Sequence, residues 1–182
     1  MKSTQKMRLT GLAMSIAAVA VRLIPHPPNF TPIGATALFG GAKFGRPWNY
    51  LLPLTLLFVT DLFLGFHGTM AYVYGSLLII TFLGERWAKK PSTPRIIVLG
   101  LASSTIFFLV TNFGVWAQGT LYPPTFAGLI ESYVAAIPFW QNMLLADLVF
   151  SVGYFKLFAY FETTKLPVLD EKVYRYLIKG GI

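Results

Sequence analysis

Long apolar runs separated by short polar or basic breaks dominate the chain from residue 8 to residue 161. Crossing a hydrocarbon layer of roughly 30 Å takes about 20 helical residues at about 1.5 Å each. Six segments are apolar enough to be read as such spans, near residues 8–25, 31–45, 48–66, 70–87, 94–114 and 136–161. The second is short and carries Gly34, Gly40, Gly41 and Gly45, so it is expected to be tilted, kinked or incompletely spanning. Between the spans lie a Pro-rich turn (Pro25-His26-Pro27-Pro28-Asn29), a basic turn at 43–47, a polar turn at 65–69 and a charged loop at 85–95. A longer connection, 115–135, holds Tyr122-Pro123-Pro124 and has room for a short interfacial helix. Residues 162–182 form a mixed-charge tail, either an amphipathic helix on the inner surface or a solvated extension.

Composition agrees with lipid as the solvent: 55% of residues are apolar, 12% charged, and the mean hydropathy is +0.61, where soluble proteins carry about a quarter charged residues. A net charge of +8 would suggest nucleic acid in a soluble protein. Here the basic residues cluster between apolar runs, so they read as a topology signal and no nucleic-acid partner is expected. With six crossings and an inner N-terminus, fourteen of the fifteen Lys and Arg residues fall on the inner side, and Arg22 alone on the outer. The expected fold is therefore all-α: a polytopic bundle of six transmembrane helices with both termini cytoplasmic, in one domain. Lys2, Lys6 and Arg8 ahead of an apolar run ending in Ala18-Val19-Ala20 also fit a signal peptide, but the run continues through Val21, Leu23 and Ile24. The absence of cysteine removes disulfides, thiolate metal sites and a Cys nucleophile.

Ionisable groups at membrane depth cost at least about 2.5–3.5 kcal/mol each, so they tend to pair or to face a cavity. Three stand out: Arg22 about one turn inside the outer end of helix 1, Asp61 in the outer half of helix 3, and Asp147 in the outer to middle part of helix 6. Tyr74, Asn112, Gln141 and Asn142 fall at the same level, flanked by Asn29, Trp116 and Trp140. This one-sided polarity predicts an aromatic-lined cavity open to the outside. The predicted substrate-binding set is Arg22, Asn29, Asp61, Tyr74, Asn112, Trp116, Gln141, Asn142 and Asp147. Arg22 would take an anionic or acceptor group, Asp61 or Asp147 a donor, and Asn112, Gln141 and Asn142 would fix orientation. The same residues are also compatible with purely structural duties: a buried ion pair, interhelical hydrogen bonds and an interfacial aromatic belt. His26 and His67 lack the spacing of a zinc site, no nucleotide-binding loop or catalytic motif is present, and neither a cofactor nor an enzymatic activity is expected.

Several stretches resemble the substrate-binding membrane subunits (S components) of energy-coupling factor vitamin transporters, and more closely an uncharacterised bacterial membrane family related to them. The resemblance runs from Ala13-x-x-x-Ala17 through Arg22, Pro32-Ile33-Gly34 and Leu38-Phe39-Gly40 to Thr60-Asp61-Leu62. Pro25 to Gly34 and Thr111-Asn112-Phe113-Gly114-Val115-Trp116 look distinctive of the uncharacterised family. The turn Phe39 to Gly45 departs from the S-component pattern by lacking a proline and being one residue longer. The resemblance implies that the Ala13/Ala17 face docks on a scaffold subunit driven by two cytoplasmic ATPases. It also implies that substrate sits near the outer surface under the 25–31 loop.

The expected function is capture of a small, planar, vitamin-like nutrient at the bacterial cytoplasmic membrane. Three alternatives remain open from the residues alone. One is a stand-alone carrier using Asp61 and Asp147 as proton sites, another a membrane enzyme acting on lipid, and the third a structural subunit whose polar groups only pack helices.

Overall fold

The computed structural model describes the backbone of residues 3–163 and the side chains from Thr10 onward, apart from Ala18. Within them the chain forms six helices and no strand: α1 (Ser3–Val21), α2 (Ile33–Lys43), α3 (Trp48–Leu64), α4 (Met70–Trp87), α5 (Thr93–Ala117) and α6 (Phe126–Thr163). The tail expected to lie along a surface falls, from residue 164 on, outside the described residues. Two helices, α5 and α6, are long and apolar enough to cross a membrane, with mean hydropathies of 2.0 and 1.5.

Helix boundaries differ from the predicted spans at three places, each with a local cause. The first helix ends at Val21 and not near residue 25: the amides of Arg22, Leu23 and Ile24 reach back to Val19, Ala20 and Val21 in tight three-residue turns. Pro25 disfavours helical geometry at Ile24, so the chain winds down early and Arg22 lies just past the helix end, not one turn inside it. The second is α2, which has only eleven residues. At about 1.5 Å per residue it covers roughly half of a hydrocarbon layer, so it is not a full span. Pro32 precedes it and Gly45 and Pro47 follow it. The third is α6, predicted from residue 136, which begins at Phe126 and runs for 38 residues with Pro138 inside it. The connection predicted over 115–135 shrinks to residues 118–125 and holds no separate helix.

The short α2 is the centre of the molecule. It packs against all five other helices, and Gly34 through Gly41 are all buried. A Cβ on Gly41 would strike the Thr81 carbonyl, and one on Gly84 the Leu38 carbonyl. The α2 and α4 backbones therefore touch directly, as small residues permit. Phe39, fully buried, stacks on Tyr154 at 5.4 Å and meets the edges of Phe155 and Phe158. The contacts Gly34 to Asp147, Thr36 to Tyr154 and Phe39 to Phe158 advance together along α2 and α6, so the two helices run in the same direction. The outward perimeter is apolar: Leu62, Phe63, Val98 and Val149 are all more than half exposed.

Candidate functional site

One end of the bundle is built around Arg22. Its Nη1 donates to Asp61 Oδ1 at 2.7 Å and to the Thr60 hydroxyl. Tyr74, in the first turns of α4, donates its hydroxyl to the other carboxylate oxygen, Oδ2, at 2.8 Å, and the Thr60 hydroxyl donates to the Leu57 carbonyl. Asp61 is 1% exposed and Arg22 14%. A carboxylate this deep is tolerable only when paired and hydrogen-bonded, and here both its oxygens are engaged. The loop after α1 delivers the arginine, α3 the acid and α4 the phenol.

Above this pair lies a cavity of about 310 Å³. Arg22, Asn29 and Thr31 line it from the loop between α1 and α2, and His67 and Thr69 from the α3–α4 turn. The apolar walls come from Phe107 and Phe108 of α5 and from Phe139, Trp140 and Met143 of α6. Thr111 and Asn112 add polar atoms one turn further along α5. Each donates within its own helix, Thr111 to the Phe107 carbonyl and Asn112 Nδ2 to the Phe108 carbonyl, both at 2.8 Å. The Asn112 side-chain oxygen stays available as an acceptor. The indole Nε1 of Trp140 is buried and has no hydrogen-bond partner.

The loop that supplies one wall is itself shaped by its sequence. Asn29 sits in the left-handed region at φ 62°, which asparagine tolerates better than most residues. The Phe30 amide donates to the Pro27 carbonyl, closing a turn. Asn142 ties this loop to α6 by donating to the Pro28 carbonyl at 3.0 Å, and Phe30 packs on Phe150 with ring centroids 5.8 Å apart.

Of the predicted set, Arg22, Asn29 and Asn112 line the cavity, and Asp61 and Tyr74 stand behind Arg22. The others go elsewhere. Trp116 donates its Nε1 to the Pro123 and Thr125 carbonyls at 3.2 and 3.1 Å, fastening the α5–α6 connection. Asn142 holds the loop, and Gln141 is exposed and not among the lining residues.

Asp147 is the main correction, because it does not join Arg22 and Asp61. It is fully buried, and its Oδ1 accepts the Ala35 amide at 3.1 Å at the start of α2. Pro32 precedes that helix and gives no side-chain cap, so a carboxylate from α6 satisfies one of the open amides and complements the positive end of the helix. Gly34 makes the approach possible, since a Cβ there would collide with both carboxylate oxygens.

Sequence reasoning missed the apolar walls, Phe107, Phe139 and Met143, and the polar Thr31. Apolar residues on an apolar helix carry no mark of which side faces a cavity. His26 bonds to the Ile24 carbonyl and His67 to the Thr69 hydroxyl, each at 2.8 Å. Among the described residues no three His, Asp or Glu side chains gather to hold a metal ion. On the far side of α1, Ala13, Ile16, Ala17 and Ala20 are exposed, while Gly11, Met14, Ser15 and Val19 face the bundle.

Residues 2–169 match the sequence model of DUF6580, a family of unknown function. The chain belongs to this family. No curated protein matches it, and no solved structure does. DUF6580 membership therefore carries no activity with it, and the cavity has to be read from its own chemistry.

Proposed function

We propose that this DUF6580 protein is a multi-pass protein of the bacterial cytoplasmic membrane that captures a small organic nutrient from the outer side. Six crossings with both termini inside keep every Lys and Arg but Arg22 on one face. The second crossing is made jointly by the irregular 22–32 loop, which dips through the outer half, and by α2 in the inner half. Irregular backbone survives at membrane depth where protein or a water-filled cavity covers it, and Asn29, Thr31 and Ile33 all line the cavity.

The observation that carries the proposal is the cavity of about 310 Å³ with a buried, fully partnered Asp61 holding Arg22 at its wall. An ion pair whose only duty was packing would need no adjoining space lined by aromatic rings. The volume falls at the small end of ligand pockets, roughly 300–1,000 Å³. The chain carries no nucleotide-binding motif, so capture leads to uptake through a partner. The exposed Ala13/Ala17 face is the docking surface in this reading, and the partner an energising module of the energy-coupling factor type.

The test is a thermal-shift screen of the detergent-solubilised chain against vitamins, nucleobases and their precursors. A ligand that binds only the folded state adds about 2.7 kcal/mol of stability at a hundredfold excess over its dissociation constant. Ala136→Phe fills the cavity from α6, where Ala136 is 8% exposed, and should abolish the shift while the variant still folds. A shift that survives Ala136→Phe, or no shift across the library, refutes the proposal.

A stand-alone ion-coupled carrier is the second reading. It is favoured by Asp147 Oδ2, a buried carboxylate oxygen with no hydrogen-bond partner. Substrate uptake by the chain alone in liposomes under a proton gradient would select it.

A further inference from the structure

We infer that the molecule captured in this cavity is an organic monoanion with a flat apolar body, its acidic group held by Arg22. The inference rests on the capture role proposed above and names the ligand's chemical class.

The first argument is the absence of acid from the lining. No Asp or Glu lines the cavity. Asp61 is 1% exposed with both oxygens engaged, and Asp147 is fully buried at the start of α2. An ammonium or other cationic group entering this space would meet no carboxylate to replace its lost hydration, and a buried unpaired charge is costly.

The second argument is a surplus of donors. Arg22 commits Nη1 to Asp61 and Thr60, and its Nε and Nη2 groups make no hydrogen bond among the described residues. Trp140 gives the lining its ring, while its Nε1 is buried and does not open onto the cavity. The free Nε and Nη2 groups of one guanidinium fit a carboxylate, and hydrogen bonds to a charged group are about twice as strong as neutral ones.

The third argument concerns shape and the number of charges. Phe107, Phe108, Phe139 and Trp140 provide aromatic surface, with the Phe108 and Trp140 rings 5.2 Å apart and inclined at 33°. Such surfaces suit a planar apolar body. Among the described residues Arg22 is the one Lys or Arg in the lining and is already paired with Asp61, which limits the ligand to a single negative charge. The other titratable lining residue, His67, has its Nδ1 bonded to Thr69.

The test compares acids with their neutral amides: benzoate, nicotinate and naphthoate against benzamide, nicotinamide and naphthamide, by equilibrium binding to the solubilised full chain at neutral pH. At least one acid should bind about tenfold or more tightly than its amide, the size of a charge-assisted hydrogen bond. In the double variant Arg22→Gln with Asp61→Asn, which leaves no buried charge unpaired, acid and amide should bind alike. Amides binding as tightly as their acids would overturn the inference and leave the capture role standing. An acid preference that persists in the double variant would overturn Arg22 as the anchor. If neither acids nor amides bind while an unrelated ligand does, the class is wrong; if nothing binds, the capture role falls and this inference with it.

Discussion

Removing the charge of Asp61 without changing its shape should expose how much the Arg22 pair contributes. In Asp61→Asn the guanidinium keeps its place, 14% exposed, beside a neutral amide that replaces a carboxylate 1% exposed. Breaking one half of a buried pair typically costs about 3–5 kcal/mol, because the remaining charge is left uncompensated. The low end, about 3 kcal/mol, applies here because Arg22 reaches the cavity. Tyr74, which donates to the same carboxylate, can still donate to the asparagine oxygen, so its bond adds little to the loss. Arg22→Gln alone leaves Asp61 buried with only Tyr74 as a partner and should cost at least as much. The double variant leaves two neutral groups and should recover most of the loss, giving a coupling of about 2 kcal/mol or more in a double-mutant cycle. The assay is reversible unfolding of the solubilised protein in mixed detergent, followed by tryptophan fluorescence. Single variants within about 0.5 kcal/mol of the parent, the range of ordinary surface changes, would refute the buried-pair argument. So would a double variant as unstable as the sum of the singles.

Three further outcomes follow from the packing and from the proposed topology. Gly41→Ala should cost about 1–3 kcal/mol, since its Cβ meets the Thr81 carbonyl, whereas Gly153→Ala, with nothing within 4 Å, should be neutral or stabilising by up to about 1 kcal/mol; the same unfolding assay compares them. Asp147→Ala should destabilise by about 1–2 kcal/mol through loss of the cap on α2, and Asp147→Asn, which keeps an acceptor, by less; equal losses would argue against capping. Because the chain has no cysteine, Thr120→Cys and Ser92→Cys give clean single labels: an impermeant thiol reagent applied to intact cells should reach the first and not the second, and labelling of both or of the second alone would refute the proposed orientation.

Helix existence was legible from the apolar runs, and α4 falls where it was predicted. Arg22, Asp61 and Tyr74 were legible as one group because polar residues in an apolar run have few tolerable places. The same logic misplaced Asp147, since it reports depth along a helix and not the direction in which a side chain points. It also undervalued α2. Glycines that read as weakness in a span, Gly34 and Gly41, are what allow Asp147 and the α4 backbone to approach. The start of α6 was drawn too late because residues up to 135 were read as part of the connection that holds Tyr122-Pro123-Pro124, whereas the helix already begins at Phe126.

The amino-acid sequence by itself determined that this is an all-helical chain with its basic residues clustered between apolar runs, because long apolar runs and basic clusters act through length and composition alone. Which helix lies at the centre, which aromatic rings face a cavity and which acid meets Arg22 were decided only by the tertiary structure. On helices that are apolar all round, outward-facing, core and cavity-lining positions carry the same kinds of side chain. The rotation of each helix is then set by close packing at particular glycines and by the need of each buried polar group for a partner.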